Sequence, residues 1–244
     1  MKKLLMTLFL SVPCLAYAAG GGYHLDHAPI DVTDKNSLQR GAKLFVNYCM
    51  GCHSAQFERY NRLARDLGLP EKLVQENLIL TAGTKIGDTM KIAMPTNQAK
   101  EWFGAAPPDL SVIARARGTD YLYTYLRTFY LDDSRPWGVN NAAFPSVGMP
   151  HVLWQLQGWQ KPIYETDPHD ANRQVITGFE LVQPGSMTVP EFDRAAADLV
   201  NFLSYVAEPI QLERKRVGIW VLLYLVLCFA VFYPLKKEYW KDVH

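Results

Sequence analysis

An excess of charge of either sign is missing from this chain. In 244 residues, 25 Lys and Arg stand against 24 Asp and Glu, a formal net charge of +1. Without a basic surplus there is little to neutralise a phosphate backbone, which argues against a nucleic-acid partner. Cysteine is scarce too: Cys14, Cys49, Cys52 and Cys228 are the full set, and they make a single C-x-x-C. A structural zinc site normally takes four Cys or His ligands at recognisable spacings, and no second pair exists to complete one. Internal repeats, low-complexity tracts and an obvious second domain are also lacking.

Long apolar runs are confined to the two ends. Lys2 and Lys3 precede an apolar run over residues 4–15, followed by Ala16-Tyr17-Ala18. That is the pattern of a cleaved export signal over residues 1–18, too short to span a bilayer. Cys14 raises a lipoprotein alternative, for which Ser-Val-Pro is a poor preceding sequence. Residues 217–235 are nineteen positions without a charge, enough at about 1.5 Å per residue to cross a hydrocarbon core. Trp220, Tyr224 and Tyr233 lie toward the ends of that run, where amphipathic rings favour the interface. Basic residues flank it on both sides, so orientation follows from the export signal. The expected layout is an exported domain over 19–209, a joint over 210–216, a membrane anchor over 217–235 and a cytoplasmic tail over 236–244. A buried core helix is the alternative for 217–235.

With Cys14 removed and Cys228 inside the span, only Cys49 and Cys52 remain in the exported domain. They belong to Cys49-Met50-Gly51-Cys52-His53, which reads C-x-x-C-H, the attachment signature of a c-type haem. Two thiols three residues apart can each form a thioether to one vinyl group of a single porphyrin. The histidine directly after them then lies under the ring, placed to ligate the iron. A half zinc site and a redox dithiol are the competing readings, and a dithiol leaves His53 unexplained.

A haem held by His53 needs a second ligand or an open face; methionine gives a closed electron carrier, an open position allows ligand binding or catalysis. The candidates are Met90, Met94, Met149 and Met187, with His24, His27, His151 and His169. Met50 lies between the tethers and cannot reach the other face. Met149 is favoured, because Phe144-Pro145-Ser146-Val147-Gly148-Met149-Pro150 is a stiff irregular loop able to hold a thioether in place. Met94, also followed by proline, is the rival, and Met187 precedes a helix cap against which it is expected to pack.

The remaining elements are mostly helical. Asn36 and Gln39 suggest a capping box, opening a helix whose Leu38, Ala42 and Phe45 form a stripe leading to Cys49. Residues 58–72 read as an amphipathic helix stopped by Pro70, with Tyr60, Leu63 and Leu67 on one face. Short helices and loops follow over 77–103, then a short helix over 110–117. Thr119 is expected to cap a helix over 120–131 with Leu122, Leu126 and Phe129 as its stripe. Residues 132–154 are rich in turn formers. Residues 175–177 and 179–182 suggest a small hairpin around Gly178. Thr188-x-x-Glu191 is a capping box with Pro190 in the first turn, opening a long helix lined by Ala195, Leu199, Phe202, Leu203 and Val206 and ended by Pro209.

Several of these segments together carry a resemblance. Cys49-Met50-Gly51-Cys52-His53-Ser54 is followed by Phe57 and Tyr60. Ala106-Pro107-Pro108-Asp109-Leu110-Ser111 then leads into Arg115-Ala116-Arg117. Phe144-Pro145, Gly148-Met149 and Ala207-Glu208-Pro209 before one apolar span complete the order. Over roughly residues 38–237 the chain resembles cytochrome c1, the haem c subunit of ubiquinol–cytochrome c reductase (complex III), in a bacterial form. The resemblance implies a mostly α fold: a cytochrome c-like haem domain with loop insertions plus one C-terminal transmembrane helix. It implies one haem c tethered by Cys49 and Cys52, with His53 and Met149 as axial iron ligands. Arg117 matches the residue that pairs with a haem propionate, which a guanidinium can do bidentately; Tyr121 is a second donor.

The implied partners are cytochrome b, the Rieske iron–sulfur protein as electron donor, a soluble or membrane-bound c-type cytochrome as acceptor, and membrane lipid, within a dimeric complex. The chain is then not an enzyme alone but a redox subunit of the inner membrane with its haem domain in the periplasm. Two features depart from the mitochondrial form: a longer stretch over 155–186 and a shorter one over 132–141. Glu165, Asp167 and Asp170 are candidates for an acidic acceptor surface. A free-standing membrane-anchored cytochrome shuttle and a haem peroxidase-like enzyme with an open sixth site are the rival functions.

Overall fold

The structure, a computed structural model, describes residues 23–167 and 170–242. The export signal, Cys14 and His169 lie outside the described residues. The domain is built on two crossing helices, α1 (Lys35–Leu44) and α8 (Val189–Ala207). Leu38, Ala42 and Phe45, the expected stripe, are all buried against Leu199, Phe202 and Leu203. The backbones approach closely at Gly41, where an added Cβ would lie 2.1 Å from the Asp198 carbonyl oxygen. Arg40 closes the same crossing, donating from Nε and Nη2 to the two Asp198 carboxylate oxygens at 2.6 and 2.8 Å. Asn201 reaches across from α8 to the Asp31 carbonyl and the Ser37 hydroxyl.

Between these helices the chain runs through a five-residue π turn (Phe45–Cys49), β1 (Ala55–Arg59), α2 (Tyr60–Leu67), α3 (Glu71–Asn77) and β2 (Thr89–Met90). Next come α4 (Thr96–Phe103), α5 (Ile113–Arg117), α6 (Thr119–Arg127), β3 (Phe129–Leu131), β4 (Val139–Asn141) and α7 (Trp154–Gln157). A long antiparallel ribbon, β5 (Gly158–Asp167) and β6 (Asp170–Pro184), leads to α8, and α9 (Gln211–Tyr239) ends the described chain. Helix predominates, as expected. Among the described residues the strands form three two-stranded pairs, β1–β2, β3–β4 and β5–β6.

Several expected boundaries move, each for a physical reason. The cap of α1 is Asp34, whose carboxylate accepts from the Asn36 and Ser37 N–H groups at 2.9 and 3.1 Å; Asn36 already lies inside the helix. Residues 58 and 59 are strand, because the 55–59 backbone finds long-range partners before the helix begins. Tyr60, Leu63 and Leu67 do form one buried face of α2, which ends on Gly68 with φ +72°, a left-handed cap that suits glycine. Helix α6 starts without a side-chain cap and stops at Arg127, not 131. The Tyr125 carbonyl, which would receive the Phe129 N–H in a longer helix, is taken by Asn141 Nδ2 at 2.7 Å. Gln157 and Gln160 take the Arg127 carbonyl at 2.8 and 2.9 Å. Phe129 is therefore strand, paired with Asn141. Gly178 is not a turn: it sits inside β6 opposite Ile163, and the expected small hairpin is one arm of the larger ribbon.

The capping box at α8 is present, with Glu191 accepting from both the Thr188 N–H and its hydroxyl. The segment expected as a joint before the anchor is helical, continuous with the apolar run. Among the described residues α9 is the one helix long and apolar enough to cross a membrane, and none of its apolar window is buried inside the protein. Glu208 receives both Nε and Nη2 of Arg214 at the base of that helix.

Candidate haem site

The histidine side of the site is built by the end of α1. The last turn widens to π geometry, the Met50 N–H reaching back to the Phe45 carbonyl at 2.9 Å. Single π turns inside helices frequently occur at functional sites. Here the widening brings Cys49 to a buried position, leaves Cys52 half-buried, and folds His53 back so that its N–H meets the Cys49 carbonyl at 2.8 Å. The two thiols are not joined to each other. Burial, reinforced by the neighbouring Cys52, pushes the Cys49 thiol up to about 12, and burial raises Cys52 as well. Such thiols are poorly suited to exchange or thiolate chemistry at neutral pH.

Four hydrogen bonds zip this loop to the Pro-Pro-Asp-Leu-Ser segment. His53 Nδ1 lies 2.7 Å from the Pro108 carbonyl oxygen. A carbonyl only accepts, so Nδ1 carries the proton and the Nε2 lone pair is left free to bind a metal. Burial lowers the His53 pKa, the Pro108 carbonyl and Asp109 opposing it, and favours that neutral imidazole. The Leu110 N–H donates to the Ser54 carbonyl at 2.8 Å, the Gln56 N–H to Asp109 Oδ2 at 3.0 Å and the Phe57 N–H to Ser111 Oγ at 3.1 Å. Ser54 Oγ accepts from the Ile92 N–H at 3.1 Å. Ser111 is fully buried. Four residues after Ser54, Glu58 is also fully buried, and burial pushes its carboxyl up to about 7; Arg62, Asp66 and the Tyr205 hydroxyl surround it.

The sulfur side is a loop stitched by two asparagines. Asn141 Oδ1 accepts from the Ala143 and Phe144 N–H groups, each at 3.0 Å, and Asn140 Oδ1 accepts from the Ser146 N–H at 2.8 Å. Ser146 is held at φ +63°, rare for a residue with a side chain, and Arg135 Nη2 holds its carbonyl at 3.0 Å. Met149 emerges from this fixed loop half-buried, packed with Phe129, Val139 and Val147. Its sulfur accepts from the Tyr125 hydroxyl at 3.4 Å. Tyr125 stacks on Tyr121 with ring centroids 6.0 Å apart, and the Arg117 guanidinium lies 5.7 Å from the Tyr121 centroid. Arg117, Tyr121, Tyr125 and Met149 thus form one contiguous line. The Pro108 segment that holds His53 leads along the chain into α5 and α6, which carry Arg117, Tyr121 and Tyr125 of that line.

The other candidates are placed differently. Met90 is fully buried in β2 among core residues, Met187 packs against the same core, and Met94 is half-buried beside Pro95. His24 and His27 are exposed, with His27 facing Asp120 at 3.4 Å. His151 is buried, stacked on Phe129 with centroids 5.0 Å apart. Met50 receives the Tyr60 hydroxyl at 3.4 Å. In the sequence Tyr125, Ser54 and Ser111 carry no separate role, and Asn140 and Asn141 only that of turn formers in the 132–154 stretch. Only Ser54 and Ser111 fall inside its motifs, and Tyr125 lies one helical turn beyond Tyr121.

A model of the Cytochrome C1 family matches residues 26–243. The chain belongs to the cytochrome c1 family. It is 51% identical over 245 residues to the cytochrome c1 of Allochromatium vinosum, covering all of both chains. It is also 51% identical over 246 residues to a protein named ammonia monooxygenase gamma subunit from Nitrosomonas europaea, covering 100% of this chain and 99% of that one. The cytochrome c1 of Rhodospirillum rubrum is 28% identical over 240 residues, 86% of this chain and 83% of that one. Cytochromes c1 are the electron-transport subunits of complex III that carry one covalently bound haem c, and this chain is one of them. The residues present fit that group. Two unpaired thiols share one turn, the histidine beside them has one ring nitrogen bonded to a carbonyl and the other free, and a thioether stands on a rigid loop beside α6.

Proposed function

We propose that this chain is the electron-transferring subunit of a ubiquinol–cytochrome c reductase, taking one electron from a Rieske iron–sulfur protein and passing it to a soluble or membrane-bound c-type cytochrome. Cys49 and Cys52 would tether the haem, His53 and Met149 would ligate its iron, and Arg117 with Tyr121 would receive a propionate. The bound haem supplies a one-electron iron couple; no proton or substrate chemistry is required of the chain. The His53–Pro108 hydrogen bond carries the reading, because it fixes the tautomer and ring orientation that a ligand needs, as outer-shell partners of metal-bound histidines do.

The protein's part is to position and to exclude water. The 53–57 to 108–111 zipper holds the imidazole, and the Asn140–Asn141 loop holds the thioether. Apolar walls from Phe129, Val139 and Val147 keep the sulfur side dry. Helix α9 would anchor the domain in the inner membrane beside cytochrome b, in a dimeric complex, with the haem domain in the periplasm. Met149→Leu tests the ligand assignment: the midpoint potential should fall, or an exchangeable ligand appear, while the haem stays covalently attached. An unchanged potential and spectrum would remove Met149 from the iron.

The equal similarity to the Nitrosomonas europaea protein supports a second reading, membership of a complex named for ammonia oxidation. Purification in mild detergent separates the possibilities. Cytochrome b and Rieske subunits should co-purify; monooxygenase subunits in their place would support the second reading, and isolation alone would support a free-standing shuttle.

A further inference from the structure

The Tyr125 hydroxyl is placed to do more than fill space. It points at the sulfur of Met149 at 3.4 Å, within hydrogen-bond range for a sulfur acceptor. Three contacts aim it. Tyr121 stacks on one side at 6.0 Å with the rings 20° from parallel, and Phe129 meets the ring edge-on at 5.2 Å and 75°. Asn141 Nδ2 holds the Tyr125 carbonyl at 2.7 Å, while Oδ1 of the same side chain anchors the loop that leads to Met149. Donor and acceptor are therefore registered through one shared residue.

We propose that Tyr125 is a positioning residue that raises the potential of the haem by donating a hydrogen bond to the Met149 thioether. The inference rests on the reading of Met149 as an axial ligand. A thioether sulfur has two lone pairs, so one is available to iron and the other to the hydroxyl. Donation from Tyr125 draws electron density away from the sulfur and turns the positive end of the O–H dipole toward the metal. Both effects disfavour the more positive, oxidised iron, and hydrogen bonding around a ligand is a recognised lever on potential. The bond also restrains the thioether's rotation, which holds its remaining lone pair in one direction. The hydroxyl is absent from phenylalanine but the ring is not, so Tyr125→Phe removes the donor and keeps the stacking on Tyr121 and Phe129.

The test uses the full-length protein in its membrane complex, with three variants: Tyr125→Phe, Met149→Leu and the double substitution. Midpoint potentials are measured by spectroelectrochemical titration, and the long-wavelength sulfur-to-iron charge-transfer band is followed in the oxidised state. Sulfur is a weak acceptor, so Tyr125→Phe should lower the reduced-to-oxidised ratio at a fixed ambient potential by about threefold. At 59 mV per tenfold for one electron, that is roughly 30 mV. The charge-transfer band should persist but move. Met149→Leu should abolish the band, and adding Tyr125→Phe to it should change the potential no further. An unchanged potential in Tyr125→Phe, with the band intact, overturns the role of Tyr125 and leaves Met149 as ligand. A band that survives Met149→Leu overturns the ligand reading itself, and the inference with it. Equal potential shifts from Tyr125→Phe in the presence and absence of Met149 would also overturn it, since the hydroxyl would then act without the sulfur.

Discussion

Replacing Gly41 with alanine tests the packing that carries Cys49. The new Cβ would lie 2.1 Å from the Asp198 carbonyl oxygen and 2.7 Å from Phe202 Cβ. Carbon atoms in good contact sit about 3.5 Å apart or more, so α1 must retreat from α8 by about 1 Å. The obstacles are a helix backbone and a β-carbon, neither of which can swing away as the end of a long side chain does. A gap of that size forfeits roughly a quarter to a half of the dispersion attraction across it. The side chains that lose it include Leu38, Ala42, Phe45, Leu199 and Phe202, all buried. Overpacking of this kind costs about 1–3 kcal/mol and sometimes more. Here a whole helix pair is displaced, so about 4 kcal/mol is expected, offset by about 1 kcal/mol of improved helix propensity. The net loss of about 3 kcal/mol should lower the thermal midpoint by roughly 6–12 °C, measured by far-ultraviolet circular dichroism on the detergent-solubilised protein. Gly87→Ala, where no atom lies within 4 Å of the new carbon, is the control and should stay within about 0.5 kcal/mol. A midpoint for Gly41→Ala within about 2 °C of the parent would refute the close crossing.

Two further outcomes follow from groups elsewhere in the domain. Glu58, held by burial at about 7 rather than near 4.5, keeps its proton in the folded protein after the unfolded chain has lost it. Stability should therefore fall as pH rises from about 4.5 to about 7, by up to about 3 kcal/mol, and level off above. Glu58→Gln should flatten that slope, and a thermal midpoint profile with the same slope in both proteins would contradict it. Thr188→Ala removes one partner of the α8 capping box and should cost about 1 kcal/mol, a midpoint drop of roughly 2–4 °C; no change would mean that the Thr188 N–H to Glu191 contact suffices.

What could be read in advance divides by range. The stripes of α1 and α2, the capping box at Thr188 and the membrane-length run are local periodicities, and each reappears in the structure. The pentapeptide at Cys49 is legible because tethering chemistry packs its residue types into one turn. Pro108 belongs to a quoted motif, yet its use as a carbonyl acceptor for His53 depends on a contact 55 residues away. Helix α6 looked longer because Phe129 continues its stripe; the amides that end it come from Asn141, Gln157 and Gln160, which no window around residue 127 contains. Strand β1 was hidden for the same reason, since its hydrogen-bond partners lie near residues 90 and 110. Gly178 misled in the opposite sense: it marks a shift of register beside Ile163, and the strand runs on through it without turning.

The ribbon of β5 and β6 leaves the domain through a narrow neck. The Ser186 and Met187 N–H groups return to the Gln155 and Leu156 carbonyls at 2.9 and 3.1 Å, so the chain comes back to the spot from which it departed. Gly158 and Gly185 allow the two arms to pass there, where added β-carbons would lie 2.1 and 2.3 Å from carbonyl oxygens. The part of the ribbon nearest the neck packs on the domain: Gln160 reaches the carbonyls of Arg127 and Phe129, Phe179 meets the rings of Tyr23 and Tyr130, and the Tyr164 side chain hydrogen-bonds that of Tyr130. The tip beyond the Tyr164–Ile176 pair can lengthen, shorten or be replaced by a tight turn at the modest entropy of a changed loop length. Evolution can thus rewrite this outer segment to suit different surroundings without touching the wall that faces Met149.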